Sequence, residues 1–185
     1  LLLLIFLSPL FLTISILIFL EDRNSIFYTQ RRTGLNGRTI KIIKFRSMKI
    51  NAEKDGIQWS SKNDNRVTKV GKLIRATRLD EIPQLFCVIK GDMSLIGPRP
   101  ERPEIEKEFL KDIPYYDYRN VIKPGLSGWA QVNYPYGASV FDSKKKLSYD
   151  IYYIINFSFF LDLLILFQTI KIIFNNSLLK SLSAA

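Results

Sequence analysis

The first twenty residues, LLLLIFLSPLFLTISILIFL, carry no charged side chain. About 20 consecutive apolar residues form a helix long enough to cross the hydrocarbon core of a bilayer. Pro9 disturbs this pattern because it lacks an amide hydrogen and its ring clashes with the preceding turn, so a kink or break is expected near Leu7 and Ser8. The Ser8 hydroxyl can satisfy a carbonyl that the break frees. These residues fit both a spanning helix and a re-entrant helix that enters and leaves on the same side.

The segment after this apolar run is strongly basic. Residues 21–50 contain two acids and eight Lys or Arg residues, and the positive-inside tendency places this segment in the cytoplasm. The whole chain has 27 Lys and Arg against 17 Asp and Glu. A basic middle between apolar ends, 1–20 and 151–174, suits a membrane surface, a phosphate-bearing ligand or both. Charge alone also leaves nucleic acid open as a partner.

The chain contains no histidine and only one cysteine. A Ser-His-Asp triad and a His-ligated zinc site are therefore excluded within it, and a disulfide framework is not supported. An enzyme of this composition must use carboxylates, amines, hydroxyls or a hard cation such as Mg2+ held by oxygen. Cys87 has apolar neighbours, which predicts a buried, reduced thiol. The chain starts inside an apolar run without Met, so we expect a further N-terminal part to precede it.

Two strand-like runs flank the sequence GLNGR at residues 34–38. Asn36 and Gly37 both tolerate positive φ, so this dipeptide is a strong hairpin signal. After the turn, Ile40, Ile42 and Phe45 alternate in part with Lys41 and Lys44, which predicts a β-hairpin with a basic face. Residues 51–65 are rich in Asn, Asp, Ser and Lys and are expected to form a loop.

Helices are predicted in the middle and at the end of the chain. Apolar residues recur at helical spacing between residues 67 and 74. A second helix is expected from Glu81 to Ile89, closed by Gly91, with Pro83 in its first turn, where a missing amide hydrogen costs little. In the apolar stretch 151–174, polar residues favour one or two amphipathic helices at the membrane interface over a second span. These polar residues are Asn156, Asp162, Gln168 and Lys171.

The sequence TRLDEIPQL, residues 77–85, holds an adjacent acidic pair, Asp80 and Glu81. One interpretation is structural, because Asp is a favoured N-cap and a carboxylate near a helix N-terminus is stabilised by about 0.3–1 kcal/mol. The other is chemical. Arg75 and Arg78 precede the pair and supply cationic charge that keeps a carboxylate ionised, and a helix N-terminus also suits a phosphate.

Two further stretches present basic side chains that suit phosphate. In GPRP, prolines on both sides restrict the backbone around Arg99, and a guanidinium group can grip phosphate oxygens with two bonds. In KFR, Lys44 and Arg46 form either an exposed basic strand end or a phosphate clamp, if the hairpin faces the acidic pair. No Walker loop and no G-x-G-x-x-G motif occurs.

Four ordered stretches resemble one known family. They are EDRNSIFYTQRRTGLNGRTIKIIKFRSM, TRLDEIPQL, GDMSLIGPRPE and KPGLSGWAQVN. Together they resemble the bacterial sugar transferases, monotopic phosphoglycosyl transferases that load a sugar-1-phosphate onto a polyprenyl phosphate carrier. The resemblance covers residues 9 to about 173. RPERPE and YPYGAS are most similar to the long-chain exopolysaccharide members, which usually carry further N-terminal membrane helices and another domain.

The resemblance implies a mechanism and a set of site residues. It implies that Asp80 is the nucleophile, that Glu81 assists with the metal or as an acid or base, and that Mg2+ is bound at this pair. The positions of Lys44, Arg75 and Arg99 match family positions that contact phosphate, and we add Arg46 from its place in KFR. The implied substrates are a nucleotide-diphosphate sugar, usually uridine-linked, and polyprenyl phosphate. Two residues depart from the common pattern without touching this chemistry: Arg78 and Cys87.

The resemblance also implies where the chain lies. It favours a re-entrant helix broken at Ser8-Pro9 over a spanning one, and a catalytic domain on the cytoplasmic face of the bacterial inner membrane. We therefore expect a predominantly helical α+β fold with three parts: the re-entrant helix at 1–20, the catalytic domain at 21–149 and interfacial amphipathic helices at 150–185. A non-catalytic membrane-binding module and a nucleic-acid binder are the alternatives. The sequence indicates neither the sugar nor the oligomeric state.

Overall fold

The computed structural model describes residues 2–54, 56, 64–135, 137 and 139–182, without the side chains of residues 2–4 and 176–182. Helices dominate these residues, which confirms the predominantly helical fold. The helices are α1 (Leu2–Asp22), α2 (Lys69–Ala76), α3 (Leu85–Lys90), α4 (Pro103–Asp112), α5 (Trp129–Asn133), α6 (Val140–Asn156) and α7 (Phe159–Leu182). The strands are β1 (Phe27–Thr33), β2 (Thr39–Phe45), β3 (Ser94–Ile96) and β4 (Gly125–Ser127). Short 3-10 helices cover Leu35–Gly37, Leu79–Gln84 and Tyr116–Asn120.

The predicted β-hairpin is confirmed. β1 and β2 pair antiparallel, and the turn between them uses positive φ angles of 53° at Asn36 and 75° at Gly37. The prediction of one basic face is wrong. Successive side chains alternate between the faces of a strand, so Lys41, paired with Arg31, and Lys44, paired with Tyr28, lie on opposite faces. The parallel pair of β3 and β4 was not predicted, because each strand has only three residues.

Helix α1 runs without interruption through Pro9. The Ser8 hydroxyl donates to the Ile5 carbonyl at 2.7 Å. This carbonyl is the one that an amide at position 9 would bond in a helix, so the expected compensation by Ser8 is confirmed. A complete break at Ser8-Pro9 is not present in this backbone, and the re-entrant path stays a prediction. By length and composition, Ile5–Asp22 could cross a membrane.

The second half of α1 packs on the rest of the fold. Ile14 and Ile18 are buried against Phe45 of β2 and Ile74 of α2. Apolar side chains elsewhere on α1 are exposed, including Phe6 and Leu12. The helix therefore presents one face to the protein and leaves an apolar surface uncovered.

Polar contacts fix the C-terminal end of α1. The Glu21 carboxylate accepts a hydrogen bond of 2.7 Å from the Lys69 amide, and a longer one from the Val70 amide, at the start of α2. Asp22 forms a two-bond ion pair with Arg46, with both distances 2.5 Å. The C-terminal end of α1 is thus bound both to the start of α2 and to the residue that follows β2.

Helices α6 and α7 form the C-terminal part. The Tyr153 hydroxyl donates to the Asp162 carboxylate at 2.7 Å across the turn between them. Ile165 is fully buried beside Tyr153, whereas aromatic side chains on the other side of α7, such as Phe160 and Phe167, are exposed. The helical prediction for this region is confirmed, and its position at a membrane interface stays a prediction.

Candidate active site

The acidic pair lies in the 3-10 helix Leu79–Gln84, between α2 and α3. The N-cap of this turn is Arg78, in a left-handed conformation at φ 56°, and it makes no side-chain capping bond. The predicted helix from Glu81 therefore begins as α3 only at Leu85, and Gly91 ends it at φ 87°. The Asp80 side chain makes no hydrogen bond within the described part of the chain, so the N-cap interpretation of Asp80 is wrong.

Glu81 is held by two cations that come from distant segments. Lys44 of β2 donates to Glu81 Oε1 at 2.6 Å. Arg99 donates from Nη2 to Oε1 at 2.5 Å and from Nη1 to Oε2 at 3.2 Å. Burial alone would raise the pKa of Glu81, but Arg99 and Lys44 outweigh it and hold this pKa well below its usual value. Glu81 is therefore a fixed anion.

Asp80 has the opposite electrostatic character. Burial, together with the neighbouring charge of Glu81, raises the pKa of Asp80 to about 6, although Lys44, Arg75 and Arg99 act against this shift. The sequence interpretation foresaw the cations but not the burial. At neutral pH the Asp80 carboxylate is mostly ionised, and it is more basic than an exposed aspartate. Two adjacent carboxylates with separated pKa values are typical of a site that assigns them different roles.

Three of the four predicted phosphate-binding residues meet at the acidic pair. Lys44 and Arg99 contact Glu81 directly, and the charge of Arg75, in the last turn of α2, acts on Asp80. Arg46 is not among them. Because β2 ends at Phe45, Arg46 turns toward α1, where it pairs with Asp22 and donates to the Ser25 carbonyl.

The buried pair of Arg119 and Asp150 also supports this site, and sequence reasoning missed it. Its atoms lie 2.9 Å apart, and both side chains are almost completely buried. Arg119 also donates to the backbone carbonyl of Arg99 at 2.8 Å. No local motif marks either residue, because the pair joins a 3-10 helix to the middle of α6.

The donor set fits a magnesium ion that shares its coordination with a substrate. Mg2+ is usually bound by one or two carboxylates together with phosphate oxygens and water. Asp80 offers a carboxylate with no other hydrogen-bond partner in the described regions, whereas both oxygens of Glu81 already accept from cations. No group of three or more His, Cys, Asp or Glu side chains that could hold a metal occurs among the described residues. A site at Asp80 would therefore need ligands from the substrate.

A family model described as bacterial sugar transferase matches residues 1–176. The chain is also similar to curated proteins. One is the UDP-N-acetylgalactosamine-undecaprenyl-phosphate N-acetylgalactosaminephosphotransferase of Aeromonas hydrophila, with 50% identity over 166 residues, covering 90% of this chain and 39% of the relative. Another is the UDP-glucose:undecaprenyl-phosphate glucose-1-phosphate transferase of Klebsiella pneumoniae, with 40% identity over 171 residues, covering 91% of this chain and 37% of the relative.

A third relative is shorter. The putative undecaprenyl-phosphate N-acetylgalactosaminyl 1-phosphate transferase of Bacillus subtilis (strain 168) is 53% identical over 111 residues, covering 60% of this chain and 62% of the relative. The chain thus spans less than two thirds of the length of each of these three relatives.

Proposed function

The chain belongs to the bacterial sugar transferase family, and from that premise we propose that it transfers a sugar-1-phosphate from a UDP-sugar to polyprenyl phosphate. The observation that carries this proposal is the pair of unlike carboxylates. Asp80 has a pKa raised to about 6 and no hydrogen-bond partner among the described residues, and it lies beside a Glu81 that two cations hold in place. One carboxylate is free to react while the other is fixed.

In the first step, an oxygen of Asp80 attacks the phosphorus that bears the sugar. The bond from this phosphorus to the bridging oxygen breaks, and uridine monophosphate leaves with that oxygen. The product is a sugar phosphate bound covalently to Asp80. A carboxylate is a weak nucleophile, but a covalent intermediate divides one difficult transfer into two easier steps. Burial supports this role, because it makes the Asp80 oxygen more basic.

In the second step, a phosphate oxygen of the polyprenyl carrier attacks the same phosphorus. The bond between phosphorus and the Asp80 oxygen breaks, which restores the free carboxylate. The product is a polyprenyl diphosphate sugar. This order of events requires that the lipid phosphate reaches Asp80 after uridine monophosphate has left.

The three cations around the pair suit the charge of the reacting phosphates. Lys44 and Arg99 would exchange part of their contact with Glu81 for phosphate oxygens, and Arg75 would offset charge near Asp80. Positioned donors of this kind stabilise charge that develops in a transition state.

We propose that Asp80 is also the main protein ligand of Mg2+, with Glu81 available through the oxygen that makes only a 3.2 Å bond. When bound, the ion would neutralise phosphate charge.

The apolar surfaces suit a reaction at a membrane. The uncovered side of α1 and the exposed aromatic side chains of α7 would lie in the lipid, with the acidic pair on the cytoplasmic side of the inner membrane. We propose the re-entrant arrangement for α1, because it would bring the site to the level of the lipid headgroups, where the carrier phosphate lies. The tie between Asp22 and Arg46 supports a fixed placement of α1 on the domain.

A donor panel tests the proposal. Purified protein in detergent is given UDP-N-acetylgalactosamine, UDP-N-acetylglucosamine, UDP-glucose or UDP-galactose, with and without undecaprenyl phosphate. We expect uridine monophosphate release with at least one donor, and a single stoichiometric burst when the lipid is absent. The substrates in the names of the Aeromonas hydrophila and Klebsiella pneumoniae relatives favour N-acetylgalactosamine or glucose as the sugar. Release of uridine diphosphate instead would indicate an ordinary glycosyl transfer and overturn the proposal.

A further inference from the structure

The loop that carries Arg99 is held at four successive backbone carbonyls. The Pro98 carbonyl accepts from the Gly125 amide at 2.9 Å, and the Glu101 carbonyl from the Thr33 amide at 2.8 Å. Between them, two arginine side chains serve as donors: Arg119 to the Arg99 carbonyl at 2.8 Å, and Arg32 to the Pro100 carbonyl at 3.1 Å. Strands β1 and β4 and the 3-10 helix Tyr116–Asn120 therefore all hold one short loop.

Of the donors to this loop, Arg119 carries the largest free-energy cost, because its charge is buried. Its side chain is only 6% exposed, and a charge in such a place is expensive unless it is paired and hydrogen-bonded. Asp150 pairs with it at 2.9 Å, Glu101 lies 3.7 Å away, and the guanidinium also donates to the Tyr116 hydroxyl at 2.5 Å. A neutral donor could bond the Arg99 carbonyl without the free-energy cost of burying a charge.

The geometry of Arg99 explains what such a fixed support can do. Arg99 meets Glu81 through both of its terminal nitrogens, and a two-bond contact of this kind depends on the position of the backbone that carries the side chain. A displacement of about 1 Å at a catalytic group can cost about 100-fold in rate. Arg119 bonds the backbone carbonyl of Arg99 itself. Its effect on Arg99 is therefore direct and passes through no other residue.

We propose that Arg119 is a positioning residue for the transfer, which acts through Arg99 and is itself held by Asp150. It fixes the backbone of Arg99 so that the guanidinium stays aimed at Glu81 and at the substrate phosphates. This inference rests on the proposed function, because it assigns Arg119 to the same site. It separates Arg119 from a residue that only stabilises the fold.

A double-mutant cycle tests this role. The variants are Arg119→Lys, Arg99→Lys and their combination, and the measured quantities are kcat/KM for the UDP-sugar and the Kd of UDP. We expect Arg119→Lys to lower kcat/KM about 10-fold in the wild-type background, but less than about 2-fold when Arg99 is already Lys. Residues that act through one another show such non-additive effects.

Arg46 provides a matched control. Like Arg119, it is 6% exposed, pairs with a carboxylate and donates to a backbone carbonyl, but that carbonyl belongs to Ser25. Whatever loss Arg46→Lys causes should be the same with and without Arg99→Lys. If the losses from Arg119→Lys and Arg99→Lys multiply as those of the control pair do, Arg119 has no positioning role.

Two other outcomes are also decisive. If Arg119→Lys does not fold, as judged by thermal unfolding, the same cycle is run with Asp150→Asn; failure of both variants to fold would make the pair purely structural and overturn the proposal. If the wild type neither binds UDP nor releases uridine monophosphate, the proposed function fails, and this inference fails with it. A wild type that is active but shows multiplying losses rejects the inference alone.

Discussion

Lys44 Nζ lies 2.6 Å from Glu81 Oε1, and the two side chains are only 16% and 12% exposed. The contact joins β2 to the 3-10 helix that carries the acidic pair. Arg99 binds the same carboxylate, so the single negative charge of Glu81 is paired with two positive charges. Its neighbour Asp80 receives less of this cationic charge and has a raised pKa. The difference between the two carboxylates can be tested by changing each one separately.

The first prediction concerns Glu81→Gln. The charge of Glu81 raises the pKa of Asp80, while Lys44 and Arg99 lower it, so removing the Glu81 charge should lower the pKa of Asp80 below about 6. The acid limb of kcat/KM against pH should then move to lower pH, because this limb reports the free enzyme. Activity should fall, by about 100-fold if Lys44 and Arg99 lose their alignment, yet some covalent adduct should still form.

Glu108→Gln is the control for this measurement. Glu108 is 68% exposed and pairs with Lys111 on the surface of α4. Its pH profile should match the wild type. An acid limb in Glu81→Gln that stays in place or moves upward would contradict the electrostatic coupling between the two carboxylates.

The second prediction concerns stability against pH in metal-free buffer. The pKa of Asp80 rises from 3.8 to about 6 on folding, so between these values the folded protein binds more protons than the unfolded chain. The free energy of unfolding must then fall as pH rises through this window, by up to about 3 kcal/mol from this group. Asp80→Asn does not titrate, so its stability relative to wild type should increase from pH 4 to pH 7.

Denaturant unfolding at several pH values measures this difference. Comparing each variant with wild type at the same pH removes the contribution of other groups that titrate in both proteins. If the difference in free energy of unfolding between Asp80→Asn and wild type does not change from pH 4 to pH 7, folding does not raise the pKa of Asp80.

The third prediction concerns the metal. Chelator should abolish turnover, and Mg2+ or Mn2+ should restore it, because hard cations prefer the oxygen ligands that this site offers. Mn2+ binding in the presence of UDP, followed by electron paramagnetic resonance, should weaken in Asp80→Asn and stay unchanged in Glu108→Gln. Full activity in excess chelator would remove the metal from the mechanism.

Local signals predicted local structure well. The Asn36-Gly37 turn and the glycine at the end of α3 depend on the φ angles of single residues, which the sequence encodes directly. The buried state of Cys87 followed from its apolar neighbours, and Cys87 is 3% exposed beside Ile42 and Met93. These features need no knowledge of how distant segments meet.

Features that depend on distant segments were missed or misassigned. Lys44 and Arg46 look alike in KFR, but β2 ends between them, so that only Lys44 reaches Glu81. The helix cap that the sequence offered as one of two interpretations of Asp80 is absent, because Arg78 is left-handed and a 3-10 helix follows it. Residue types alone do not indicate either feature. The contact between Arg119 and Asp150 depends on where α6 packs. The spacing of apolar residues predicts a helix but not its position in the fold.

The fourth prediction concerns the path of α1. Single cysteines at position 1 and at Ser25, in a Cys87→Ser background, should both react with a membrane-impermeant reagent from the cytoplasmic side if the helix is re-entrant. Reaction of position 1 only from the opposite side would show a spanning helix. Pro9→Leu restores the missing amide hydrogen and should push the helix toward spanning.

The last prediction concerns Asp80 as the nucleophile. Asp80→Asn keeps the shape of the side chain but removes its charge, and a neutral amide is not a useful nucleophile toward phosphorus. Since Asp80 makes no capping bond, the variant should fold with a melting temperature at or above that of wild type at pH 7. Turnover should fall to background, and uridine monophosphate release without lipid should disappear as well.

Mass spectrometry separates a nucleophile from a group that only binds metal or substrate. Wild type incubated with UDP-sugar and no lipid should gain the mass of one sugar phosphate, on the peptide that contains residue 80. Asp80→Asn should gain none, whereas Glu81→Gln should gain it slowly. Adding undecaprenyl phosphate should then discharge the adduct from wild type and form the lipid product. A folded Asp80→Asn protein that transfers sugar phosphate at near the wild-type rate would exclude Asp80 as the nucleophile, whatever its contacts.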